Sequence, residues 1–372
     1  MMANPGKNLV FLLLLAVAGC GKDSSGPDGG DNDNPVTYSF TNPVNVRTES
    51  IVSNGSGNNM LSKTEIRGSY IYSILPRSVS SNNYPETLKK TIIGVSNTSN
   101  TGFTINPGSY VFSYAPGGVN KYQPLPVISL FTVDNNGEYI YRFNTKRAIY
   151  IPTDPPVLGQ VYKGNLSTGT SAAMIAAGDL AQMDFLLGFD LKAMRADDAG
   201  NVYIASLASN GCIVKVSATG QISVLASGLI NPGYFTIHNG FLYVPINVAS
   251  GGKVIRIDIN DGTVSTSISN LTNPVNLAID RHGNIVVRSL TSVSGANYHR
   301  YDIYKPDGQH IANIKDANGI SLLSDIYENM PMYIDGDNNL YFYHADGVSV
   351  NGSTSNNPTG QKGIYQIALI KN

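Results

Sequence analysis

Tryptophan is absent from this chain, and cysteine nearly so, with two residues in 372. Two thiols cannot make a disulfide framework, so stability has to come from packing and backbone pairing. Charge is scarce as well. Asp, Glu, Lys and Arg together make up 14% and the formal net charge is -1, which excludes the basic face that a nucleic-acid partner would need. Helical periodicity is almost missing: the one candidate is AGDLAQMDFLLG, 177–188, expected as an insertion between strands. No HExxH, GxSxG or GxxxxGK[ST] pattern occurs among the residues, so zincin, nucleophile-elbow and phosphate-loop chemistries have no sequence support. The five histidines, at 238, 282, 299, 310 and 344, show no close ligand spacing. Asp335-Gly-Asp-Asn-Asn339 offers alternating oxygens, but Leu340 stands where a calcium loop of the EF-hand type needs its sharp-turn glycine, and a strand-joining turn accounts for the residues. Neither a metal nor a cofactor is expected. Cys212 alternates with Val214 and Val216 in GCIVKV, the pattern of a small buried hydrophobe on one strand face.

What is present begins with one apolar run. Lys7 precedes Leu9–Val17, a stretch shorter than the roughly 20 residues that span a bilayer. Val17-Ala18-Gly19-Cys20 resembles a bacterial lipobox. That resemblance implies a signal peptide over 1–19 and a mature chain starting at a lipidated Cys20, held by acyl chains and not by a transmembrane helix. Residues 20–35 carry GKDSSGPDGGDNDNP, too polar to order itself, and read as a flexible acidic tether. Gly21 gives no reason for inner-membrane retention. Lys22-Asp23 and the following acidic residues are similar to the surface-export signals of Bacteroidota lipoproteins, which implies an outer-membrane location facing the exterior, with a periplasm-facing anchor as the alternative.

Residues 36–372 are expected to fold as one all-β domain. Glycine (38 residues) and tyrosine (22 residues) are abundant, and the apolar runs are short and bounded by turn residues, as strands are. Segments also repeat: LKAMRADDAGNVYIAS from Leu191, LINPGYFTIHNGFLYVP from Leu229, LTNPVNLAIDRHGNIVVRS from Leu271 and ENMPMYIDGDNNLYFY from Glu328 each join two apolar runs across a turn built on Asp-x-x-Gly-Asn or a variant. A third strand follows in GQVYKGNLSTG, GCIVKVSATG, GGKVIRIDINDG and YHRYDIYKPDG. Units of about 40 to 55 residues with four strands resemble the blades of a β-propeller. The unit from Leu271 is similar to an NHL repeat, as met in propellers of the gluconolactonase and YncE-like families. Second-strand markers at Tyr70, Tyr110, Ala148, Val202, Leu242, Ile285 and Leu340 give seven blades, with six or eight as alternatives because 125–188 can be divided in two ways. The last strand, GIYQIAL at Gly363–Leu369, leaves the final blade one strand short. VTYSFTNPVNV, 36–46, is expected to supply it and so remove two exposed edges.

Short Asp-x-x-Gly turns should lie on one face of such a ring and long loops on the other. Binding residues favour long loops on a rigid scaffold, which nominates Arg77, Tyr84, Lys121, Tyr122, Tyr298, His299 and Arg300 as ligand-binding groups. The expected role is a non-enzymatic binding module accessory to nutrient uptake. Its ligand would be a glycan, a peptide, a siderophore-like small molecule or a partner such as a TonB-dependent transporter. The alternative is a hydrolase or lactonase with a metal-assisted site in the central channel. Convergent acidic or amide side chains in that channel would favour the enzyme, and a Tyr-rich, charge-poor funnel would favour binding.

Overall fold

The computed structural model describes residues 36–48, 64–75, 86–93, 101–105, 126–134, 138–145, 160–165, 170–187, 191–207, 211–293, 296–315, 321–325, 332–344, 349–350 and 363–372, with the single residues 168 and 319. Residues 1–35, where a signal peptide, a lipidated Cys20 and a tether are expected, lie outside them. Two N-terminal strands, β1 (Tyr38–Phe40) and β2 (Val44–Thr48), join the last of the six sheets among the described residues; the others are met in chain order. The first sheet is β3 (Thr64–Arg67), β4 (Tyr70–Leu75), β5 (Glu86–Ile92) and β6 (Thr101–Ile105); the second is β7 (Pro126–Val133), β8 (Glu138–Thr145), β9 (Gln160–Asn165) and β10 (Thr170–Ala173). A short 3-10 turn and α1 (Leu180–Leu187) then lead into the third: β11 (Leu191–Ala196), β12 (Val202–Ser206), β13 (Cys212–Val216) and β14 (Ile222–Ser227). The fourth is β15 (Thr236–His238), β16 (Phe241–Ile246), β17 (Gly252–Asp258) and β18 (Val264–Leu271). In the fifth, β19 (Pro274–Ile279), β20 (Ile285–Val293) and β21 (Ala296–Tyr304) are followed by β22 (His310–Asn313) and β23 (Leu322–Asp325), which both pair with β21. The last sheet runs β24 (Tyr333–Ile334), β25 (Asn339–His344), β27 (Gly363–Lys371), while β26 (Ser349–Val350) adds to β23 of the fifth.

This is an all-β propeller of antiparallel sheets, and burial shows how the sheets face each other. Every residue of β12 is buried, with no polar alternation, because both faces of a blade meet a neighbouring blade. Val202 and Ile204 pack toward the second sheet with Val161 and Ile175. Tyr203 and Ala205 pack toward the fourth with Leu242 and Val244. The same interleaving joins the fourth sheet to the fifth through Tyr243, Ile268 and Val287, the fifth to the last through Tyr301, Ile303 and Phe342, and the last to the first through Tyr341, Ile364, Ile66 and Ile71. Outer strands meet solvent instead, as the mostly exposed β18 shows. Turns between third and fourth strands add a contact the sequence did not advertise. Gly220, at φ +85°, abuts the backbone of Met174 in the preceding sheet, and Gly262, at φ +76°, does the same against Leu225. A side chain at either position would meet a carbonyl oxygen while holding a left-handed backbone.

Closure is by the N-terminal chain. β1 pairs antiparallel with Leu369–Lys371, and β2 pairs with Gly363–Gln366, so β27 is the third strand of the last sheet and the first strands of the chain form its outer edge. The strand is split around 41–43 and runs to Thr48, two residues beyond the expected segment. The likeness between FTNPVNV and LTNPVNL does not carry over to position: Val44 is 58% exposed on an outer strand, whereas its counterpart Val275 is half-buried on the inner β19. Arg47 and Thr48 suit an edge; Ala278 and Ile279 suit a strand covered on both faces.

The described residues hold six sheets where seven blades were expected. Glu138–Thr145 supplies the second strand of the second sheet and pairs with Pro126–Val133, its first. The markers Tyr110 and Ala148 lie outside the described residues. The helix expected at 177–188 forms, as a 3-10 turn at Ala177–Asp179 followed by α1.

Candidate functional site at the channel mouth

In each sheet the first strand lies innermost. A cavity of about 700 Å³ opens where five of these six strands converge: β3, β11, β15, β19 and β24. Its rim is made by the turns that follow them, including Gly68, Asp197–Ala199, Asn239–Gly240 and Asp335–Gly336. The cavity is therefore the channel mouth on the short-turn face.

The turns themselves are self-contained. Asp197 accepts the Asn201 backbone N–H (2.8 Å) on one oxygen, and the Asn201 amide (2.8 Å) and Tyr203 hydroxyl (2.9 Å) on the other. Asp335 repeats the arrangement with Asn339 and Tyr341 at 2.8–2.9 Å. Asp280 does so with Asn284, but Val286 stands where the other two turns have tyrosine, and the hydroxyl comes from Tyr38 on β1. The closing strand thus completes a turn of the fifth sheet. These hydrogen bonds also explain the calcium-like DGDNN run, since both oxygens of Asp335 are engaged inside the turn.

Burial, reinforced by the aspartate each hydroxyl donates to, raises the phenols of Tyr38, Tyr203 and Tyr341 well above the ordinary value of 10.0. The unfolded chain would ionise these tyrosines near pH 10, while the folded one keeps them protonated. Their contribution to stability is full below that pH and is lost as pH rises through it toward the folded values. Denaturant midpoints should hold steady to about pH 9.5 and then fall, and Tyr203→Phe should flatten the fall; a midpoint independent of pH up to 11.5 would contradict this.

Between the turns and the deep channel stand the charged groups. Glu65, 1% exposed, accepts Arg67 Nε (2.9 Å) on one oxygen and the Val133 N–H (3.0 Å) on the other, while Arg67 Nε also reaches the Val133 carbonyl at 3.1 Å. This pair ties β3 to β7. Burial acts to lower the Arg67 pKa, but the Glu65 charge and hydrogen bond outweigh it and carry it above the ordinary value. Arg195, 7% exposed, donates from Nη1 to the Met194 carbonyl at 2.9 Å, and its guanidinium lies 5.4 Å from the centre of the Tyr333 ring. Burial raises the Tyr333 phenol, with Arg195 opposing, so the hydroxyl stays a donor. Burial raises the Tyr234 phenol likewise, with the charges of Arg288 and Arg195 opposing. His238, at the rim, is lowered by burial, with Asp280 opposing, so it is neutral at pH 7.

The channel is thus neither of the two linings anticipated from sequence. Its lining has Tyr333, with the guanidiniums of Arg67 and Arg195 and the carboxylates of Glu65, Asp197, Asp198 and Asp335; and among the described residues no three His, Cys, Asp or Glu side chains come together as metal ligands. Cys212 is buried, its Sγ donating to the Leu186 carbonyl at 3.4 Å, and burial pushes the thiol up. Of the residues nominated on the long-loop face, Arg77, Tyr84, Lys121 and Tyr122 lie outside the described residues. Tyr298, His299 and Arg300 lie on β21, two strands out from the axis; His299 is buried, and Arg300 pairs with Asp302 at 2.7 Å. Arg195, Thr236, Ala278 and Tyr333, which line the cavity, all stand two residues before the first residue of a turn. That spacing was readable in LKAMRADDAG and MPMYIDGDNN, as a polar side chain inside an otherwise buried strand.

No family model matches the chain, and no curated protein matches it. Among solved structures it is similar to a protein of unknown function from Bacteroides thetaiotaomicron (10% identity, 89% of this chain and 76% of that one, TM-score 0.49). It is similar also to a luciferin-regenerating enzyme (10%, 89% and 95%, 0.48) and to the β-propeller domain of the trilobed protease from Pyrococcus furiosus (11%, 78% and 79%, 0.46). Likenesses this distant decide nothing about ligand or reaction.

Proposed function

We propose that this protein is a lipid-anchored outer-membrane β-propeller that binds a small molecule in its channel mouth, without catalysis, as an accessory to uptake. The supporting observation is the cavity of about 700 Å³ lined by side chains from five converging strands, with Arg195 and Tyr333 in its wall. A concave site with a few convergent polar groups on rigid strands is what small-ligand binding needs. The carboxylates of Asp197 and Asp335 are held in their turns and that of Glu65 by Arg67 and the Val133 N–H, which favours binding over acid-base chemistry. The long-loop residues Arg77, Tyr84, Lys121, Tyr122, Tyr298, His299 and Arg300 stay within this proposal as the surface for a protein partner such as a transporter.

Because the chain has no tryptophan, one introduced at the exposed rim residue Ala199 becomes a single reporter of the cavity. Titrating the Ala199→Trp protein in detergent with sugars, sugar acids, short peptides and chelators should shift its emission saturably for at least one class. A flat response to all of them would contradict a channel-mouth site. The anchor is tested separately: Cys20→Ser should release the protein from the membrane fraction, and continued fatty-acid labelling of that variant would refute lipidation at Cys20.

A further inference from the structure

We infer that the channel mouth takes a monocarboxylate, such as a sugar acid, and seats its carboxylate on Arg195. The inference rests on the channel-mouth reading above and adds the charge class of the ligand. A guanidinium carries five N–H donors in a planar fork suited to two carboxylate oxygens. Arg195 donates to one protein acceptor, the Met194 carbonyl, and among the described residues no carboxylate lies within ion-pair distance of it. It is nonetheless more than nine-tenths buried and lines the cavity. No Arg195 nitrogen is among the fully buried groups without a partner, so its remaining donors are open to the cavity, where a ligand carboxylate would gain charge-assisted hydrogen bonds.

The neighbours sharpen the choice. Arg67 is matched by Glu65, whose two oxygens are both taken. Of the two guanidiniums in the lining, Arg195 is thus the one with no carboxylate within ion-pair distance among the described residues. The Tyr333 ring, 5.4 Å from the Arg195 guanidinium, stands in the same wall. At the rim stand Asp197, Asp198 and Asp335. They cost little to a single negative charge passing inward but more to a phosphate dianion, which selects the carboxylate of the two oxyanions. The remaining wall, with Ile237, Ile279 and Ile334, offers apolar area to the body of the ligand.

The test uses the full chain in detergent and matched pairs: glucuronate against glucose, galacturonate against galactose, and N-acetylneuraminate against N-acetylmannosamine, with glucose 1-phosphate as the dianion. Binding is read by the Ala199→Trp reporter and by equilibrium dialysis of the unaltered protein. At least one acid should bind with its neutral partner at least about ten-fold weaker, and with affinity falling as salt rises. Arg195→Gln should weaken that acid about ten-fold or more, and Arg195→Lys, which keeps the charge without the fork, should fall between. Retention of the melting temperature by either variant shows that the loss is not unfolding. If a neutral sugar binds as well as its acid and Arg195→Gln leaves both alone, the charge class is wrong while the channel-mouth site stands. If glucose 1-phosphate binds and no acid does, the site is for phosphate esters and the inference is overturned. If no compound moves the reporter or is retained in dialysis, both the inference and the channel-mouth reading fall.

Discussion

Deleting Val36–Asn42 should lower the melting temperature by about 10 °C and drive the protein into aggregates, whereas deleting Gly21–Pro35 should leave it unchanged. The first deletion removes β1, with Tyr38 and Phe40 from the cluster that joins the fifth and last sheets, and exposes the edge of β27 at Leu369–Lys371. It also removes the Tyr38 hydroxyl from Asp280 and Asn284. Two half-buried aromatic side chains and a charge-assisted hydrogen bond amount to roughly 4–5 kcal/mol. The second deletion removes only residues expected to be a tether. Calorimetry showing the two deletions equally mild would mean that the N-terminal strand does not close the ring.

Asp280→Ala should be the costliest single change in the turns, at about 3 kcal/mol. Asp280 is 1% exposed and accepts the backbone N–H groups of His282 and Asn284 at 2.8 Å, besides the Asn284 amide and Tyr38. Removing the carboxylate strands these donors and unlatches the closing strand together. Asp261, on an exposed outer turn, is the control, and its change to Ala should move the melting temperature by no more than about a degree. Because Tyr38 and Asp280 act as one unit, Tyr38→Phe combined with Asp280→Ala should cost less than the sum of the two. Additive losses in chemical denaturation would separate the turn from the closure.

Much of the fold was legible because the turns are chemically explicit. Asp-Asp-Ala-Gly-Asn at Asp197–Asn201 and Asp-Gly-Asp-Asn-Asn at Asp335–Asn339 announce their hairpins, and GCIVKV, GGKVIRI and GIYQIAL read as third strands, which β13, β17 and β27 are. The missing partner of the last strand was readable from counting strands. The position of FTNPVNV was not, since one short motif serves both an inner and an outer strand and only the residues after it decide burial. The contacts of Gly220 and Gly262 were also hidden: a glycine in a turn looks the same whether it faces solvent or the backbone of the next blade. Arg195 escaped notice for a related reason. Loop length drew attention to the long-loop face, while LKAMRA reads as one more buried strand until the ring brings β24 across the channel and sets Tyr333 against the guanidinium.

The most direct measurement of the binding site is hydrogen exchange by mass spectrometry on the full chain, with and without whichever compound moves the Ala199→Trp reporter most. A ligand in the channel mouth should slow exchange in the rim turns at 197–200, 238–240 and 335–336 and leave the β20–β21 hairpin around Ser289–Arg300 unchanged. Slowed exchange confined to that hairpin, with the rim turns unaffected, would put the ligand on the long-loop face and contradict the account.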